Sequence, residues 1–145
     1  MNYPELYGYF FEELKVGMSA TMSRTITDTD MRNFSGVSGD TNPMHLNEEF
    51  AKATPFGGTI VFGMLTASLI SAVVGTKLPG PGCIYMSQAL KFLAPVHVGE
   101  TVYAVCTVKQ LTPGKNHVLL DTKCYVHEKP VIEGEALIKV ASKPS

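Results

Sequence analysis

Gly63–Thr76, with the sequence GMLTASLISAVVGT, is the stretch that decides the fold. It has no charged residue on any face, and a helix that is apolar all round is typical of a buried helix. At about 1.5 Å per residue this helix is about 21 Å long, close to the length of a six-residue strand. Residues 78–82, LPGPG, end it. We therefore predict a buried helix that other elements must cover.

The cover is predicted from the C-terminal half of the chain. Val102, Ala104, Cys106 and Val108 alternate with their neighbours, which is typical of a half-buried strand. Four strands separated by turn signals are predicted here, at residues 83–92, 101–111, 116–126 and 131–140. Strands joined by short turns favour an antiparallel meander. A curved antiparallel sheet wrapped around the apolar helix, an α+β fold of one domain over residues 1–145, is the simplest two-layer arrangement.

The N-terminal half is predicted to contain shorter elements. Residues 19–27 favour a strand, followed by a helix to residue 38 that begins at Thr27 or Asp28. Asp30 lies in the first turn of that helix, where negative charge suits the helix dipole. Residues 39–43 are dense in turn formers and are predicted to be irregular, and Asn47 caps a second short helix. The aromatic residues 1–12 are predicted to pack as a lid or edge over the core.

Composition excludes several classes of protein. The net charge is −1, without the basic excess that nucleic-acid binders usually have. The longest apolar run, residues 64–74, is far shorter than the roughly 20 residues that span a bilayer. The three cysteines are widely spaced, so we expect free thiols and no structural zinc site. With no signal-peptide pattern at the N-terminus, these features predict a cytoplasmic protein.

Residues 38–46, SGDTNPMHL, carry the candidate chemistry. Asp40 and His45 are close enough in sequence for both side chains to point from one loop into one cleft. A carboxylate can hold or deprotonate a water there, and an imidazole can accept or return a proton near neutral pH, while Asn42 orients either partner. One Asp and one His do not fill a metal shell, so no metal is expected. The alternative is that Asp40 and Asn42 are turn residues and His45 is a hydrogen-bonded core histidine.

A second candidate feature is residues 57–64, GGTIVFGM, which lead into the apolar helix. A glycine at the start of a helix leaves its N–H open to a ligand, and the positive end of the helix dipole suits a developing oxyanion. Gly63 is therefore a candidate donor. The alternative is that Gly57 and Gly58 are turn residues and Gly63 is a close-packing contact.

Four motifs in the chain resemble those of the MaoC-like, (R)-specific enoyl-CoA hydratases. They are S-G-D-x-N-P-x-H at 38–45, F-A-x-x-T-x-F-G at 50–57, I-x-x-G-M-L at 60–65 and L-P-G-P-G at 78–82. The resemblance covers nearly the whole chain. It implies a hot-dog fold, in which a long central helix is wrapped by an antiparallel sheet, and a homodimer with the active site near the subunit interface.

The resemblance also implies roles for individual residues. The family's catalytic Asp and His fall on Asp40 and His45, and its oxyanion-hole glycine falls on Gly63. Family acyl-pocket positions fall on Ser71 and Val74, which we group with Asn42 as candidate substrate-binding residues.

Two positions depart from the family pattern. Phe62 stands where the family usually has a histidine, and Asn47 stands where it usually has an aspartate.

The implied activity is hydration of a trans-2-enoyl-CoA to an (R)-3-hydroxyacyl-CoA, with no metal or redox cofactor. Coenzyme A enters only as the carrier of the substrate. A hot-dog acyl-CoA thioesterase, which would direct the water at the carbonyl carbon, is one alternative. A non-catalytic acyl-CoA-binding member of the family is the other, and the departures at Phe62 and Asn47 keep it open.

Overall fold

Helices and strands account for most of residues 3–145, the part of the chain that the computed structural model describes. Short 3₁₀ turns at Pro4–Leu6 and Phe11–Glu13 precede the main elements. In chain order these are β1 (Ser19–Thr25), α1 (Asp28–Ser38), α2 (Pro43–Leu46), α3 (Glu48–Lys52), α4 (Gly63–Thr76), β2 (Ile84–Phe92), β3 (Thr101–Thr112), β4 (His117–Val126) and β5 (Lys129–Lys139).

The five strands form one antiparallel sheet in the order β1-β3-β4-β5-β2. The predicted four-strand meander is wrong in one respect, because β2 pairs with β5 and not with β3. The segment between β2 and β3 contains Pro95 and runs past the loop before α4. There the N–H of Val61 donates to the carbonyl of Val96, and Ile60 forms an isolated bridge with His97. Because this segment pairs with the loop before α4, it does not form a tight hairpin between β2 and β3.

The core lies between α4 and one face of the sheet, since α4 packs against β1, β3 and β4. The predicted alternation along β3 is confirmed: Val102, Ala104, Cys106 and Val108 are buried and their neighbours are more exposed. The α+β class is likewise confirmed. The sheet supplies the cover that the apolar helix needs.

The predicted all-round burial of α4 is wrong for a single chain. The helix has the predicted bounds, but Met64, Ser68, Ser71 and Gly75 are exposed. Their spacing places them on one side of the helix. Three of the four are small or polar, which lowers the penalty for leaving this side uncovered. The sheet covers only the opposite side.

The short helices are defined by their caps. Thr27 caps α1, Asp30 completes a capping box with it, and Gly39 ends the helix with φ 77°. The segment after Gly39 differs from the irregular loop that we predicted, because Pro43 opens a one-turn helix that Asn42 caps. A proline suits the first helical position, where no N–H bond is required. His45 therefore lies on a helical turn, and Asn47 caps α3 as predicted.

The N-terminal segment runs alongside the loop after α4 and forms an edge of the fold. The N–H groups of Gly8 and Tyr9 donate to the carbonyls of Pro81 and Pro79. Tyr7 and Tyr9 remain 40% exposed, so the segment covers an edge of the core and does not close over it. Residues 1 and 2 of the predicted segment lie outside the described residues.

The three cysteines are free thiols, as predicted. Cys106 and Cys124 are fully buried, and burial raises the pKa of each thiol to about 12. Cys83 is partly buried, and desolvation raises its pKa as well.

None of the helices within residues 3–145 has both the length and the apolar character that crossing a membrane requires.

Candidate active site

A cavity of about 360 Å³ lies beside the amino end of α4. Its wall is mostly apolar and is built from segments far apart in sequence, including Phe56, Ile60, Phe92, Val96 and Ile132. Such a lining suits a hydrocarbon group, and a few polar groups within it fix the orientation of a ligand. Here the polar groups come from His45, Gly63 and Thr66.

His45 is held in one tautomer by the backbone. Its Nδ1 lies 2.7 Å from the carbonyl oxygen of Ile60. A carbonyl only accepts hydrogen bonds, so Nδ1 carries the proton in this contact. Within residues 3–145, Nε2 has no hydrogen-bond partner. In the neutral ring, Nε2 is therefore the atom that can take a proton from a bound molecule.

The ring of Phe62 supports the imidazole from one side. The centroids of the Phe62 and His45 rings are 4.1 Å apart, and Phe34 packs on Phe62 at 4.9 Å. Phe62 is 2% exposed. The phenylalanine at this departure from the family pattern is thus a core residue that contacts the candidate base.

Gly63 places a backbone donor on the cavity wall. It is the first residue of α4, and within residues 3–145 its N–H has no hydrogen-bond partner. A side chain at this position would require the ring of Phe92 to shift, because a Cβ would lie 2.7 Å from that ring. The open N–H and the positive end of the helix dipole can stabilise negative charge on a bound oxygen.

Asp40 and Asn42 are exposed and lie outside the cavity lining in a single chain. The Oδ1 of Asp40 accepts from the N–H of Asn42 at 3.0 Å, and the Oδ1 of Asn42 accepts from the N–H of Met44 at 3.0 Å. Both side chains thus have the local turn role that we considered as the alternative. The second carboxylate oxygen of Asp40 has no partner in the described chain.

The remaining predicted positions do not line the cavity either. Ser71 is on the exposed side of α4, and Val74 is in the core. Of the predicted site residues, the structure brings His45 and Gly63 together at this cavity. Asp40, Asn42, Ser71 and Val74 lie outside it.

Asn47, the second departure from the family pattern, has a structural role. Its Oδ1 accepts from the N–H of Phe50 at 3.0 Å and caps α3. An aspartate would cap in the same way, so the exchange leaves this contact in place.

Sequence reasoning missed Thr66 and the aromatic wall. Thr66 is 2% exposed and lines the cavity three residues after Gly63. A hydroxyl one turn beyond a candidate donor, on the same face of an apolar helix, was a readable signal. Phe56 and Phe92 carried no such signal, because their place depends on tertiary packing.

Comparison with known proteins places the chain among MaoC-like proteins. Residues 12–132 match the model of the MaoC like domain. An (R)-specific enoyl-CoA hydratase of Rhodospirillum rubrum is 49% identical over 99% of both chains. A 3-hydroxybutyryl-CoA dehydratase of Methylorubrum extorquens is 46% identical over 97% of this chain and 89% of the relative.

A solved structure supports the same placement. The unliganded R-hydratase of Pseudomonas aeruginosa superposes with a TM-score of 0.89 at 38% identity, covering 95% of this chain and 89% of that one. The hot-dog arrangement that the resemblance implied is thereby confirmed.

Proposed function

The chain belongs to the MaoC-like domain family, and on that premise we propose that it is an (R)-specific 2-enoyl-CoA hydratase, acting in reverse as a 3-hydroxyacyl-CoA dehydratase. The observation that carries the proposal is that one apolar cavity is lined both by His45, whose Nε2 is free to accept a proton, and by Gly63, whose N–H is free to donate to an oxyanion, within residues 3–145. The names of the curated relatives support the same reaction. In this proposal residues 1–145 act as one unit.

The reaction follows from the chemistry of the thioester. Its carbonyl withdraws electrons and makes C3 of the enoyl group electrophilic, but water is a weak nucleophile near neutral pH. His45 accepts a proton as the water oxygen bonds to C3, and the electrons of the C2–C3 double bond move toward the carbonyl oxygen. The protonated His45 then returns this proton to C2, and the carbonyl forms again. The product is the 3-hydroxyacyl thioester, whose (R) configuration is inferred from the family.

Gly63 acts on the charge that develops on the thioester oxygen. Its N–H, together with the dipole of α4, stabilises that charge in the transition state more than in the ground state. One such donor typically contributes about 10²–10³ in rate. The apolar wall accepts the acyl chain, and coenzyme A remains outside.

Asp40 completes the acid–base pair in this proposal. Its backbone carbonyl accepts from the hydroxyl of Ser35 at 2.7 Å, and its N–H donates to the hydroxyl of Ser38, so the backbone of Asp40 is tied to the end of α1. The oxygen that the Asn42 N–H does not use remains available to a water. Asn42 holds the turn, and Ser71 and Val74 stay predictions as substrate-binding residues.

A homodimer is part of the proposal. Within residues 3–145, the edge strand β2 has one side that pairs with no other strand, and it exposes apolar side chains, among them Ile84 and Met86. An exposed apolar edge strand favours pairing with another chain. A second copy that covered this edge would extend the wall that begins at Phe92.

The cytoplasm is the compartment that we propose, because free cysteines suit a reducing environment.

The test is an assay of crotonyl-CoA hydration. The reaction is monitored as the loss of crotonyl-CoA absorbance, and the product is identified by chiral analysis. We expect wild type to yield (R)-3-hydroxybutyryl-CoA. Asp40→Asn and His45→Gln should each lower kcat by about 10²–10⁴, the usual contribution of a general acid or base. Circular dichroism and the Tm check that both variants stay folded.

Three results would contradict the proposal. Full activity in either variant would remove that residue from the mechanism. Release of free thiol from acyl-CoA without hydration, detected with a thiol reagent, would identify a thioesterase instead. Tight binding of crotonyl-CoA without turnover would indicate a non-catalytic binding protein.

A further inference from the structure

Thr66 has a buried hydroxyl that the fold does not use. The residue is 2% exposed, and within residues 3–145 its Oγ1 has no hydrogen-bond partner. Buried hydroxyls are nearly always hydrogen-bonded, because leaving one unpaired is unfavourable. An exception that lies on the wall of the candidate active site needs an explanation.

The usual local partner of a helical threonine is already occupied. Such a hydroxyl commonly donates to the carbonyl four residues earlier, as Thr76 does to Ala72 at 2.7 Å. For Thr66 that carbonyl belongs to Phe62, which already accepts from the N–H groups of Leu65 at 3.0 Å and Thr66 at 3.1 Å. The hydroxyl of Thr66 is thus left for a ligand.

The position of Thr66 indicates which ligand atom it serves. It lies on the same face as Gly63, about 4.5 Å further along the helix, and helical side chains lean toward the amino end. A threonine in a helix also occupies two side-chain rotamers, so its hydroxyl and methyl can exchange places. The hydroxyl can therefore reach the part of the cavity just beyond the Gly63 N–H.

We propose that the hydroxyl of Thr66 binds the oxygen at C3, first as the reacting water and then as the 3-hydroxyl of the product. This inference rests on the proposed function. With the thioester carbonyl at the N–H of Gly63, the C3 oxygen is the next polar atom along an acyl chain that enters the cavity. The hydroxyl of Thr66 donates to the oxygen of the water, and one O–H of the water faces the Nε2 of His45. Thr66 thereby orients the water for attack and distinguishes 3-hydroxyacyl from deoxygenated chains.

The contact predicts an asymmetric effect of Thr66→Val, which replaces the hydroxyl with a methyl of similar size. Crotonyl-CoA has no oxygen at C3, so its KM should stay unchanged while kcat for hydration falls about tenfold. For dehydration of (R)-3-hydroxybutyryl-CoA, KM should rise about tenfold with kcat nearly unchanged. The ratio kcat/KM then falls equally in both directions, as the fixed equilibrium constant requires.

Two controls separate this contact from a structural role. Thr66→Ser keeps the hydroxyl and should stay within about threefold of wild type in both directions. Butyryl-CoA, a competitive inhibitor without a C3 oxygen, should bind Thr66→Val as tightly as wild type. The Tm of Thr66→Val should rise, because an unpaired buried hydroxyl has been removed.

The inference is overturned if Thr66→Val keeps wild-type constants in both directions, or if butyryl-CoA binding weakens as much as that of the 3-hydroxy compound. A wild type without turnover would contradict the proposed function alone. Titration calorimetry would then compare the two compounds directly. A tenfold loss of affinity in Thr66→Val for (R)-3-hydroxybutyryl-CoA only would support the contact, and equal affinities would overturn it.

Discussion

At the residue scale, the contact between Phe62 and His45 shows how a core side chain positions a candidate catalytic side chain. The Phe62 ring lies against the imidazole, while the Ile60 carbonyl fixes the proton on Nδ1. Phenylalanine supplies an apolar face that keeps water from one side of the ring and fixes its plane. The departure at Phe62 therefore has a packing role that is compatible with acid–base chemistry at His45.

The chemistry of these residues was predictable, and their surroundings were not. The spacing in residues 38–46 and the glycine before the apolar helix single out His45 and Gly63. The cavity wall around them comes from Phe56, Phe92 and Ile132, which meet only in the folded chain. Asp40 was assigned from the same loop, yet a single chain leaves it exposed.

Asp30 carries a prediction at the scale of one residue. It accepts from the Arg24 guanidinium at 2.6 Å and from the N–H of Thr27, and these bonds lower its pKa from 3.8 to about 2. Because the pKa is lower in the folded state, the charged carboxylate stabilises the fold above about pH 4. This contribution is lost as the pH falls through about 2.

Asp30→Asn should therefore lower the free energy of unfolding at pH 7 by about 1 kcal/mol, a value reduced for the solvent around Arg24. Urea unfolding at pH 7, 4 and 2.5 should show the difference from wild type shrinking across that range. Asp28→Asn is the matched control. Its ion pair with Arg32, at 3.5 Å, is exposed on both sides and should contribute about 0.3 kcal/mol. A difference for Asp30→Asn that stayed constant with pH would contradict the assignment.

At the scale of elements, hydrophobic periodicity predicted the features that depend on a single segment of the chain. The bounds of α4 and the alternation in β3 follow from patterns within each segment. The pairing of β2 with β5 is a contact between segments about forty residues apart, and no local pattern specifies it. The one-turn helix α2 was not predicted, because Asn42 and Pro43 were interpreted as turn formers. In the structure they are the cap and the first residue of this helix.

Gly134 tests the junction between β2 and β5. It lies opposite Leu90 of β2 and Thr122 of β4, and a methyl group here would overlap the carbonyl of Ala89. Gly134→Ala should destabilise the fold by about 3 kcal/mol, at the upper end for overpacking, because backbone must move. Gly36→Ala, in α1 with open space around it, should instead stabilise by about 0.5–1 kcal/mol. Thermal unfolding of both variants checks this, and similar Tm values would contradict it.

At the scale of the whole molecule, two exposed surfaces stand out: the side of α4 that carries Ser71, and the edge of the sheet at β2. The sequence predicted an apolar helix and a strand at these two segments, but not which part of each a single sheet leaves exposed. The sheet contacts one side of α4, so the opposite side of that helix stays exposed. Together with the exposed Asp40, these surfaces are the features that the proposed homodimer would complete.

We expect a mass near twice 15.7 kDa in sedimentation equilibrium. Replacing Ile84 and Met86, which are 59% and 48% exposed, with lysine should shift the equilibrium toward one chain and lower hydration of crotonyl-CoA. Val16→Lys, at another site that is 65% exposed, is the control and should change neither. A wild type that sediments as a single chain at full activity would contradict the proposed homodimer.

The buried thiols on β3 and β4 can report when the sheet opens. Only a thiolate reacts with iodoacetamide, and with a pKa of about 12 the side chains of Cys106 and Cys124 are almost entirely protonated at neutral pH. Alkylation of these two positions therefore waits for the strands to separate. Mass spectrometry of the labels that Cys106 and Cys124 acquire over time would measure this opening without an engineered label.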